Sequence, residues 1–115
     1  MKNLKSALLA INTVVTDCTL LGVPVHIRRL SAMESAAYDE AIAAARDGND
    51  VLTPARLSAG LILSVLVDEK GKKIPEENLP AVDELLAAHD NAALIEAVAT
   101  IQRHSYGTLE EALKN

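Results

Sequence analysis

The side chains that could do chemistry here are few and scattered. His26, His89 and His104 are the only histidines, and Cys18 is the only cysteine. A zinc site needs about four N, S or O ligands. No two histidines are four residues apart, and none stands beside a second ligand in a metal-binding spacing. Cys18 with a distant histidine could form a nucleophilic dyad. It shares an alternating face with Val14 and Leu20, however, so it reads as a small buried hydrophobe. His26 alternates with Ile27 and points outward with Arg28, as a surface histidine does. The adjacent acids Glu76-Glu77, Asp83-Glu84 and Glu110-Glu111 lie in polar loops or near helix starts. They read as solvated charge rather than as an acid/base pair set in two different environments. Gly71-Lys72 lacks the upstream glycine and the following Ser/Thr of a phosphate-binding loop. No catalytic, metal or cofactor site is expected.

Arg28-Arg29 is the more informative pair. It falls where a predicted hairpin hands over to a helix, and with Lys70, Lys72 and Lys73 it can form a positive patch on an acidic chain. That patch is either ordinary surface charge or a docking site for an acidic or helical partner.

The elements that must position these residues follow from hydrophobic patterning. In 115 residues, 11 basic against 16 acidic side chains give a net charge of −5, and half of the residues are hydrophobic. That composition excludes a disordered tail and argues against general nucleic-acid binding. No apolar run approaches the roughly 20 residues of a membrane span. Met1-Lys2 to Ile11 resembles a signal peptide, but its apolar stretch stops at Asn12, so the chain is expected to be cytoplasmic. With no Trp, no Phe and two Tyr, the core must be built from Leu, Val, Ile and Ala. A single α+β domain over residues 1–115 is expected, with a hairpin at about 13–29 and helices over about 31–113.

Alternation predicts strands on either side of Leu21-Gly22, with Pro24 suited to an edge or outward position. Ser31-Ala32-Met33-Glu34 has capping-box form and opens a helix to about Arg46, its inner stripe carrying Met33, Ala37, Ile42 and Ala45. Thr53-Pro54 reads as N-cap and first residue of a second helix, with an extended continuation at Leu66–Val67. A charged turn follows at Asp68–Lys73, then a helix from near Pro80 to Ala88. Another runs from Ala92 to His104, capped by Asp90, with Leu94, Ile95, Val98 and Ile101 as its apolar stripe. Thr108-Leu109-Glu110-Glu111 predicts a short tail helix.

Val25-His26-Ile27-Arg28-Arg29-Leu30-Ser31, with Glu34 three residues on, resembles a hairpin-to-helix stretch of the tail assembly chaperones of long-tailed bacteriophages and prophages. The apolar segment running into Leu66-Val67-Asp68-Glu69-Lys70-Gly71-Lys72 is similar to that family's apolar helix with its V-D-E-x-G-K sequel. The likeness extends over residues 12–115 by order and character.

The resemblance implies a non-enzymatic protein that binds the tape measure protein and keeps it soluble. It also implies help in recruiting the major tail protein, and absence from the finished virion. Many such chaperones are also made as a −1 frameshift-extended form. Leu113-Lys114-Asn115 is compatible with the slippery heptamer A AAA AAC, given a Leu codon ending in A. Candidate partner-binding residues are Arg28 and Arg29, with Leu85, Leu86, Leu94, Val98 and Ile101, whose stripes either line a groove or fill the core. Self-association is also open. Two rival readings are a small bacterial regulatory or antitoxin-like module and an enzyme using Cys18 or a histidine.

Overall fold

The structure, a computed structural model, describes residues 4–10, 14–48 and 50–106, of Tyr106 the backbone alone. Among the described residues three strands, β1 (Val15–Leu20), β2 (Val23–Arg28) and β3 (Leu66–Val67), accompany five α-helices. These are α1 (Leu4–Leu8), α2 (Ala32–Asp47), α3 (Leu52–Val65), α4 (Val82–Ala88) and α5 (Asn91–Tyr106). The α+β class and the hairpin-then-helices order agree with the expectation. The tail helix expected at Thr108–Glu111 and the hairpin's expected start at residue 13 lie outside the described residues.

β1 and β2 pair antiparallel with Asp17 opposite His26 and Cys18 opposite Val25. Leu21 (φ 53°) and Gly22 (φ 81°) make the turn, the two positive-φ positions of the type that suits a twisted hairpin. Leu21 bears the left-handed cost of a non-glycine residue while packing against the core. Side-chain alternation puts Leu20 and Ile27 on one face of the sheet, where both are buried. The extended continuation expected at Leu66–Val67 is β3, paired antiparallel to β2. β2 is therefore the central strand, and Pro24 is exposed on it, in the outward position expected. Proline is tolerated because β3 reaches only His26 and Ile27.

α3 is the central helix. Of its fourteen residues only Leu52, Arg56 and Ser64 are exposed, and it packs against α2, α4 and α5. Its start corrects the expected cap. The helix begins one residue before Thr53, and the Asp50 carboxylate accepts from the amides of Leu52 (2.9 Å) and Thr53 (3.3 Å) and from the Thr53 hydroxyl. These three donors hold the Asp50 carboxyl below the usual carboxylate range, the Thr53 hydroxyl most. α2 begins with the capping box as expected: Glu34 N donates to Ser31 Oγ at 3.1 Å, and Ser31 N to Glu34 Oε1 at 2.9 Å. Ile42 and Ala45 lie on its inner stripe as expected, with Ser35, Tyr38 and Ala41, whereas Ala37 is exposed and Met33 is 82% exposed. Met33 sits in the first turn on the solvent side, so the stripe begins two residues later than its apolar character suggested.

Asp90 caps α5 as expected, its carboxylate accepting from Ala93 N at 2.8 Å. Leu94, Ala97, Val98 and Ile101 face the core with Ile27, Ile62 and Val65. Ile95, placed on the same stripe by the sequence, is 64% exposed. Its neighbour Leu94 fixes the helix rotation, so Ala97 completes the inner face instead. Ser105 Oγ accepts from Leu30 N at 2.9 Å and ties the end of α5 to the β2–α2 connection.

Replacing Ile101, which is fully buried, by Ala should destabilise the fold by about 2–5 kcal/mol. Ile95→Ala should stay within about 0.5 kcal/mol. Urea unfolding of both variants checks this, and equal losses would contradict the helix rotation described here.

Candidate partner-binding cleft

α2 and α5 both pack on α3 but not closely on each other. Between them lies a cleft of about 570 Å³. Its floor is Pro54, Ala55 and Ser58 of α3, with buried Leu94 and Val98 beneath the α5 wall. The α2 wall presents Asp39, Ile42, Ala43 and Arg46, and the α5 wall presents Asn91, Ile95, Ala99 and Gln102. At the floor, the Tyr38 and Ser58 hydroxyls share a hydrogen bond of 3.1 Å that fixes α2 against α3. Ala43 and Ala99 place one small side chain on each wall.

The sequence candidates divide across this geometry. Leu94 and Val98 are both core and cleft floor. Leu85 and Ile101 are buried, and Leu86 packs against the core. Arg28 donates to both carboxylate oxygens of Glu34 at 2.9 Å and to the Arg29 carbonyl at 3.2 Å. Its charge is thus matched within the fold rather than held out. Arg29 is half-buried. Lys70, Lys72 and Lys73 are exposed on a tight turn about Asp68, whose carboxylate accepts from the amides of Lys70 (2.8 Å) and Lys72 (2.9 Å). Gly71 holds φ at +83° there, and a Cβ would meet Val15 Cγ2 at 3.1 Å.

The sequence reading missed Tyr38, Val51 and Ala99 as cleft residues. A usable signal was present: Val51-Leu52 is an apolar pair ahead of a helix start, and Val51 is left exposed beside the cleft.

The remaining reactive groups stay apart. His26 pairs with Asp17 across the hairpin (Nδ1 to Oδ1, 2.5 Å) on an exposed face. His89 lines a second cleft of about 390 Å³ against the β-turn. Burial, and then the Asp17 charge, push the Cys18 thiol up, which disfavours a thiolate. Among the described residues no group of three or more His, Cys, Asp and Glu side chains is placed to hold a metal, and no helix is long and apolar enough to cross a membrane.

The described residues thus form a hairpin-capped helical scaffold with an open cleft between α2 and α5. The model of the phage tail assembly chaperone protein (TAC) family matches residues 3–115, nearly the whole chain. The chain belongs to the phage tail assembly chaperone family. No match was found among curated proteins or among solved structures.

The Arg28–Glu34 pair generates a pH prediction. The Arg28 guanidinium, chiefly through its hydrogen bonds, pulls the Glu34 carboxyl down to about 2. A folded value below the unfolded one stabilises the protein above about pH 4.5, and the contribution is lost as pH falls toward 2. The Glu34 side chain is 42% exposed, so solvent screening leaves about 1 kcal/mol. Urea unfolding of wild type and Glu34→Gln should differ by that amount at pH 6 and converge near pH 2. A difference that persists at pH 2 would contradict this assignment.

Proposed function

We propose that this chain binds the tape measure protein and keeps it soluble while the tail tube assembles. Family membership over residues 3–115 carries the proposal, and it favours a chaperone over a regulatory or antitoxin-like module. The open cleft between α2 and α5 supports it physically. A long helical partner exposes apolar stripes before assembly, and a groove between two helices can take such a stripe. Binding only the unassembled partner shifts it toward its soluble state by mass action. On this reading the protein acts in the host cytoplasm, helps to recruit the major tail protein, and leaves before the virion is complete.

A longer product fits the same role. Slippage by −1 at codons for Leu113-Lys114-Asn115 would append a second module to the domain that grips the tape measure protein.

Co-expression with the tape measure protein of the same phage tests the proposal. The soluble fraction of that protein should rise several-fold over expression alone. No rise, with this chain folded by circular dichroism, would refute the reading. The coding DNA should carry A AAA AAC across codons 113–115 with an open −1 frame, and its absence would remove the extended form.

A further inference from the structure

The cleft walls carry a pattern that specifies more than an apolar partner. On α2 the cleft-lining residues run Asp39, Ile42, Ala43, Arg46, so that the apolar centre is bracketed by one acid and one base. On α5 the run Asn91, Ile95, Ala99, Gln102 repeats the scheme with neutral polar ends. Both walls are therefore polar at their ends and apolar between. Asp39 and Arg46 are seven residues apart, about 10 Å along a helix. Both are exposed, and neither side chain engages another described residue. The ion pairs of the fold lie elsewhere: Arg28 with Glu34, His26 with Asp17, and Arg56 with Asp83 at 3.4 Å. The two charges at the ends of the cleft remain available to an occupant.

We propose that the cleft takes an amphipathic helical segment carrying a basic and an acidic residue about two turns apart on the flanks of a small apolar stripe. The base meets Asp39 and the acid meets Arg46. Two or three apolar side chains between them settle against Ile42, Ala43, Ile95 and Ala99. The opposite signs at the two ends fix the direction in which the helix lies, because a reversed segment brings like charges together. This inference rests on the chaperone reading, and it adds which segment of the partner is held and how its direction is read.

An array of overlapping 20-residue peptides covering the tape measure protein tests it. Wild-type protein should capture peptides sharing one order of base and acid at a spacing of six to eight residues around an apolar stripe. The double reversal Asp39→Arg with Arg46→Glu should lose those peptides by about tenfold in affinity and capture peptides of the opposite order. Circular dichroism and thermal unfolding check that this exposed double variant is folded. Capture of peptides lacking the charge pair, an unchanged set with the reversed protein, or no capture at all would each overturn the inference. The chaperone reading is tested separately with full-length tape measure protein. If both wild type and Ile95→Glu keep it soluble equally well, the chaperone function stands and the cleft assignment fails. If wild type gives no solubility, the functional reading itself fails.

Discussion

Helix α3 has more apolar surface than one neighbour can cover, and the rest of the fold is arranged around that need. Ser58, Ala59, Leu61, Ile62 and Val65 are buried, and all but three of its residues are at least partly withdrawn from water. With no Trp or Phe available, each neighbour covers only a limited area. Coverage is shared among α2, α4 and α5, while β3, continuous with α3, ties it to the hairpin. Full burial of each Leu or Ile is worth about 1.5–3 kcal/mol, so the loss of any one side would be costly.

Sharing the coverage has a consequence. α2 and α5 are drawn to α3 from different sides and do not close on each other. Their facing sides carry the small residues Ala43 and Ala99, and a cleft remains instead of a second core. The feature that supports a chaperone role thus follows from the amino acids that build the core. An alanine-rich, aromatic-poor chain makes helices easily and leaves gaps between them that a partner helix can occupy.

Local signals in the sequence were legible where the physics is local. Capping residues placed the starts of α2 and α5, because Ser31, Glu34 and Asp90 bond to amides within three residues. Glycine and alternation placed the hairpin turn, and Leu66–Val67 was expected as an extended continuation of the second helix. Helix rotation was less legible. Met33 and Ile95 are as apolar as their buried neighbours, and only tertiary packing decides which of two adjacent residues turns inward. The α3 start was misplaced because Asp50 reached the helix from outside and displaced Thr53 as its cap. The cleft itself was half legible: Leu94 and Val98 were recognised as groove or core, and they are the point where the two meet. Its α2 wall was invisible, since Asp39 and Arg46 look like any solvated charges until α5 is placed opposite them.

The surface between α2 and α5 is the proposed seat of the partner. Amide hydrogen exchange of this chain, alone and saturated with soluble tape measure protein, tests it most directly. Binding in the cleft should add protection over Asp39–Arg46 of α2, over the first turns of α3, and over the Ile95–Gln102 stretch of α5, with the hairpin unchanged. Protection confined to β1, β2 and the Asp68–Lys73 turn would contradict it.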